Sequence, residues 1–166
     1  MPLNLLKKYN ELLELNGLNE YQRIESLHKV FSRDFESDPI IFNDKNITPT
    51  PIDGKITMDT LFSHLTTKIE DKELRNRVFD KDRAERLHWV RYHLGKKKQD
   101  VLVFSTREPQ GNRTYIYDKD EKYVIILEPL RKEKSYYLLT AYKLTGKDDK
   151  RDKILRKYKR KLAEVL

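Results

Sequence analysis

The sequence predicts an α+β fold: an N-terminal helical hairpin, then a four-stranded antiparallel sheet packed against helices. Apolar residues recur at helical spacing in the first part of the chain. The pattern changes to period two across VLVFST, RTYIYD, YVIILEP and YYLLTAYKL, which are rich in β-branched and aromatic residues. It returns to helical spacing in KDDKRDKILRKYKRKLAEVL. A chain of 166 residues accommodates one ordinary domain with a small appendage.

Taken in order, Leu5, Leu6, Tyr9, Leu12 and Leu13 predict a first helix that Asn16 and Gly17 stop. Ile24, Leu27, Phe31 and Phe35 predict a second helix, with Asn19 as its cap. These form the hairpin, residues 1–36, which is too small to hold a core alone and is expected to dock. Residues 37–56 read as a linker or arm, because Pro39, Pro49, Pro51 and Gly54 interrupt regular structure. The main domain, residues 57–166, opens with a short helix carrying Leu61, Phe62 and Leu65, with Asp59 near its start. A longer helix follows, capped by Asp80 and ended by Gly95, with Leu87, Val90 and Leu94 on one stripe and Arg86, Trp89 and His93 on the next. EPQGN, KDEK and RKEKS are turn-like, so the four strands form a meander. The last helix places Ile154, Leu155, Tyr158, Leu162 and Val165 on its inner face.

The net charge is +8. Up to Ile56 there are 7 Lys/Arg against 9 Asp/Glu, and from Thr57 onward 28 against 18, so an anionic partner would meet the second part. Without cysteine there are no disulfides, thiolate nucleophiles or cysteine-based zinc sites. No apolar run of about 18 residues occurs, and Lys7, Lys8 and Glu11 interrupt any secretory pattern. The chain therefore reads as intracellular, in the cytoplasm, with no membrane partner. Gly-rich phosphate loops, GxSxG and HExxH are missing, and five glycines argue against a Rossmann-type fold. His88 and His93 lie five apart, about 140° round a helix, so they do not share a metal. No metal and no cofactor is expected.

What remains is a metal-free set of bases, cations and hydroxyls. Cleaving RNA without a metal needs a base for the 2′-hydroxyl proton, cations for the phosphorane charge and an acid or a well-stabilised leaving oxygen. His64, Arg83, Arg86, Arg113, Thr140 and Tyr142 carry those functions if the fold gathers them. Thr140 and Tyr142, two apart on a strand, share one sheet face. Lys96, Lys97 and Lys98, with Lys157, Lys159 and Arg160, are candidate contacts to a nucleic-acid backbone. Bland readings stand beside each. His64 could be structural, Arg83 and Arg86 could pair with Asp80, Asp82 or Glu85, Arg113 could be a solvated edge residue, and the lysines could be solvated helix ends. Trp89 reads as core, and His88 and His93 as structural or rim residues.

LFSHLTTK, FDKDRAERLHWVRYHL, RTYIYDKDEKYVIILE and YYLLTAYKL followed by a basic helix resemble, in that order, the phage-encoded branch of the barnase, EndoU, colicin and RelE-like nucleases. The resemblance covers about residues 57–161 and leaves the N-terminal hairpin unexplained. It implies that fold and a metal-independent ribonuclease that leaves 2′,3′-cyclic phosphate. His64 would be base or acid, Arg83, Arg86 and Arg113 phosphate neutralisers, and Thr140 and Tyr142 phosphate and base contacts. It further implies transfer RNA or messenger RNA as substrate, and an antitoxin or immunity protein as partner in toxin or prophage systems. The alternative is a non-catalytic nucleic-acid-binding module on the same fold. A third reading makes the acidic hairpin a mask for the basic domain or a recruiter of partners.

Overall fold

The apolar spacing at the N-terminus yields a single helical turn in the computed structural model, which describes residues 2–52, 54 and 56–166. Helix α1 (Pro2–Leu5) ends there, and the chain continues to Asn19 in turns and extended backbone. The reason is competition for main-chain groups. Trp89 Nε1 donates to the Glu11 carbonyl at 3.0 Å, Leu13 N donates to the Glu85 carbonyl at 2.9 Å, and His88 Nε2 lies 3.0 Å from the Lys8 carbonyl. Each long-range bond claims a group that a helix would have used internally. The expected hairpin is thereby corrected to one helix and an irregular arm.

Helix α2 (Glu20–Phe31) begins where the sequence places it. The Asn19 side chain accepts from Gln22 N at 2.8 Å, and the Gln22 side chain accepts from Asn19 N at 3.1 Å. This reciprocal pair satisfies two donors that have no partner within the helix. The helix runs on into a π-helical turn, Ser32–Glu36. Leu13, Leu15, Leu27, Val30 and Phe31 join the same hydrophobic cluster as sheet residues Ile125, Leu127 and Leu138.

Residues 37–56, expected as a linker or extended arm, supply two strands, β1 (Ile41–Phe42) and β2 (Lys45–Pro49). The predicted period-two segments form β5 (Val101–Glu108), β6 (Gly111–Asp118), β7 (Tyr123–Pro129) and β8 (Ser135–Lys143), each antiparallel to the next. Strand β2 pairs with β8 in parallel, Asn46 opposite Ser135 through Pro49 opposite Leu138. The sheet is therefore six-stranded and mixed, in the order β1-β2-β8-β7-β6-β5. A separate hairpin, β3 (Thr67–Asp71) and β4 (Asn76–Phe79), was not expected from the sequence. Its side chains are mostly exposed, so no apolar alternation marks it.

Helix α3 (Met58–Thr66) is capped by Thr57, whose hydroxyl accepts from Thr60 N at 3.2 Å. The long helix expected from Asp80 to Gly95 is broken into α4 (Lys81–Ala84) and α5 (Trp89–Leu94). Between them Arg86 N, Leu87 N and Trp89 N bond three residues back, tightening the chain into turns. The final helix is likewise shorter than expected. Helix α6 (Gly146–Arg151) and α7 (Lys153–Lys159) meet at Asp152, whose φ is +40, and Leu162 and Val165 lie beyond both. Ser105 draws that tail to β5, its carbonyl accepting from Leu162 N at 2.8 Å and its Oγ from Leu166 N at 2.9 Å.

The sheet separates two cores. On one face Ile116, Ile125, Leu127 and Leu138 pack with α2, α3 and α5 through Leu27, Leu61, Leu65, Trp89 and Val90. On the other, Phe104, Tyr115, Tyr117 and Val124 pack with Leu144 and Ile154, the latter on α7. Among the described residues, no helix is long and apolar enough to cross a membrane.

Candidate active site

Strand β2 covers only the first half of β8, as far as Leu138, and α3 and α4 lie against β8. There α4 carries Arg83, α3 carries His64, and the β3–β4 hairpin carries Arg77. Arg77 Nη2 and Arg83 Nη1 donate to the same acceptor, the Thr67 carbonyl, at 3.0 and 3.1 Å. Arg83 Nη1 also reaches the His64 carbonyl at 3.3 Å, and Arg77 Nε bonds Thr67 Oγ1 at 2.7 Å. Of the two guanidiniums, Arg83 has a carboxylate partner, Asp80, at 3.3 Å. Arg77 has none among the described residues, and its own pKa is lowered by burial and by Arg83.

The His64 imidazole is half-buried, and its Nδ1 is buried with no hydrogen-bond partner. Burial first, then the charges of Arg77 and Arg83, hold its pKa below the usual histidine value, so the ring is neutral at pH 7. The Arg83 guanidinium sits 5.4 Å from the Tyr142 ring centroid. Burial and Asp148 raise the Tyr142 pKa, which keeps the phenol protonated. Thr140 shares the Tyr142 face of β8, and its Oγ1 is buried without a partner. Arg83 and Tyr142 line a cleft of about 380 Å³ together with Lys68, Lys143 and Lys153, and with Asp80, Asp82 and Asp148. His64 adjoins Arg83 but is not among the cleft's lining residues.

The other predicted residues are elsewhere. Arg86 is buried, with Nη1 bonded to the Asp82 carbonyl at 2.8 Å and to Glu85 at 3.4 Å, and its guanidinium lies 5.3 Å from the Trp89 ring centroid. Arg113 pairs with Glu128 on the neighbouring strand at 3.1 Å. Lys98 pairs with Asp118 at 2.7 Å, Lys157 and Arg160 with Glu108 at 2.7 and 3.5 Å, and Lys96 bonds Asn43 at 2.5 Å. Lys97 and Lys159 form no ion pair among the described residues. Trp89 is core, as read, and His88 and His93 are buried.

Two features escaped the sequence. Arg77 lies in the unrecognised hairpin. A buried polar cluster also assembles from distant segments: Asp118 receives a short hydrogen bond from Tyr9 and two from Lys98, and it lies 3.4 Å from His93 Nε2. Among the described residues, no three His, Asp or Glu side chains converge as metal ligands. No protein-family model, curated protein or solved structure matches the chain. The class it defines is thus a structural one, an α+β domain with a mixed six-stranded sheet and a basic edge cluster.

Proposed function

We propose that the chain is a metal-independent ribonuclease of the barnase, EndoU, colicin and RelE-like kind, working at the His64 cluster. The supporting observation is the convergence of Arg77 and Arg83 on one carbonyl oxygen beside a neutral imidazole. Two guanidiniums, of which only Arg83 has a carboxylate partner, complement a phosphodiester, and still better a phosphorane with an additional negative charge. In this reading His64 takes the 2′-hydroxyl proton as the 2′-oxygen attacks phosphorus. The bond to the 5′-oxygen breaks, and the Tyr142 phenol gives that oxygen its proton. Exchange with water then takes the proton from the imidazolium and restores that of Tyr142, leaving 2′,3′-cyclic phosphate and 5′-hydroxyl ends. Arg86 and Arg113, held in structural pairs, have no part in it.

A non-catalytic RNA-binding module is the second reading, and the position of His64 outside the lining of the cleft favours it, since binding does not need that ring. One experiment separates the two. Purified protein and His64→Ala are incubated with total RNA in EDTA, with end-group analysis of the fragments and RNA retardation on gels. Cleavage leaving cyclic phosphates, lost in the variant while RNA affinity is kept, supports the enzyme. Intact RNA that is retarded by both proteins supports the binding module.

A further inference from the structure

A second cleft, of about 490 Å³, lies between the π-helical turn after α2, the segment around Ile40 and helix α5. It shares no lining residue with the cleft at Arg83. Arg91 is fixed there by main-chain oxygens, with Nη1 donating to the Asp34 carbonyl at 2.6 Å and to the Asp38 carbonyl at 3.4 Å. These bonds hold the guanidinium in place without neutralising it, and Arg91 makes no ion pair among the described residues. Lys97 makes none either, while its carbonyl is tied to the Tyr92 hydroxyl at 3.3 Å.

The other charges of the cleft cancel in pairs. Lys7 meets Glu14 at 3.1 Å, and Arg33 meets Asp34 at 2.8 Å. Two uncompensated positive charges remain, Arg91 and Lys97. A phosphate monoester carries about −1.5 to −2 at pH 7 and matches them, and a guanidinium suits its paired oxygens. Asp34 and His88 also line the cleft. Asp34 and His88 are 5% and 6% exposed, and Asp34 Oδ2 and His88 Nδ1 are buried with no partner. Ile40, Tyr92 and Leu94 supply apolar wall, and the volume falls in the range of small-molecule sites.

We propose that this cleft binds a phosphate monoester of nucleoside-monophosphate size, with Arg91 and Lys97 holding the phosphate and Ile40, Tyr92 and Leu94 packing against the body. The chemistry is shared by a free nucleotide and by the 5′-phosphate end of a nucleic acid. Calorimetric titration of the full chain with adenosine 5′-monophosphate should show binding, with adenosine at least about tenfold weaker. Lys97→Met should weaken the nucleotide about tenfold without shifting the melting temperature, and Arg91→Met should weaken it further. His64→Ala should bind it unchanged, so failure of the ribonuclease reading leaves this one standing. A 5′-phosphorylated oligonucleotide that outcompetes its 5′-hydroxyl twin assigns the site to RNA ends, and competition by the mononucleotide alone assigns it to a free nucleotide. Equal binding of nucleotide and nucleoside, or no binding of either, or a Lys97→Met variant with undiminished affinity, would overturn the proposal.

Discussion

Replacing His93 by Phe should flatten the acid side of the stability curve. The His93 side chain is 2% exposed, lies edge-on to Tyr9 at 5.0 Å and stacks on Tyr123 at 5.9 Å. Burial pushes its pKa from 6.5 down to about 4, against the pull of Asp118 and with help from Lys98. As the pH falls, the unfolded chain therefore takes up the histidine proton first. The sign follows: this contribution is complete above about pH 6.5 and is lost as the pH drops toward 4. Linkage gives a loss on the order of 1 kcal/mol at pH 5.5 and on the order of 2–3 kcal/mol at pH 4.5. His93→Phe keeps an aromatic ring in the stack and removes the proton. Urea unfolding followed by the fluorescence of the one tryptophan, Trp89, at pH 7.5, 5.5 and 4.5 reads the difference. Carboxylates other than Asp118, which lies 3.4 Å from the His93 ring, titrate in both proteins and cancel. Parallel losses in the two proteins would refute the argument, because they would mean that His93 carries its charge inside the fold.

Asp118 is 1% exposed and accepts from Tyr9, Lys98 and the main-chain N–H groups of Asp120 and Glu121. Asp118→Asn should cost about 3–5 kcal/mol in urea titrations at pH 7, since it leaves Lys98 with only the more distant Asp120; a loss under about 1 kcal/mol would show that Asp120 or solvent compensates. Leu138→Ala, at a fully buried β8 position, should cost about 2–5 kcal/mol, whereas Leu74→Ala, at 78% exposure, should stay within about 0.5 kcal/mol. Similar values for the two would contradict the placement of the core.

The strands of the antiparallel meander were legible because each carries its own signal: alternating β-branched and aromatic residues, with a turn sequence at each end. Caps at Asn19 and Asp80 were legible for the same reason, as local chemistry between neighbours. The N-terminal arm was misread because Leu5 to Leu13 has helical spacing, while the bonds that decide its path come from Glu85, His88 and Trp89. Strand β2 looked like part of a linker or extended arm because Pro49 ends it and Pro39 and Pro51 flank it, and its pairing with β8 lies far along the chain. Within the candidate site, His64, Arg83 and Tyr142 were singled out by residue type. Arg77 was missed with its polar hairpin, and the Glu128 partner that withdraws Arg113 shows itself only once β6 and β7 are in register. The Tyr9–His93–Lys98–Asp118 cluster has no spacing to recognise, because three segments contribute to it.

The parallel junction of β2 with β8 also bears on the order of folding. Thr48 Oγ1 bonds the Tyr136 carbonyl across 88 positions of chain, and closing a loop of that length costs on the order of 4 kcal/mol of entropy. The β5–β8 hairpins close through short turns and carry no such burden, so they form the nucleus and β2 docks after the barrier is crossed. Ile47→Val, a small trim of a β2 residue packed on the core, should accordingly speed unfolding and leave the refolding rate unchanged in a chevron plot; a slowed refolding limb would place β2 in the nucleus. The lifetime of the folded state is then set at a seam that contributes little to how fast it is reached.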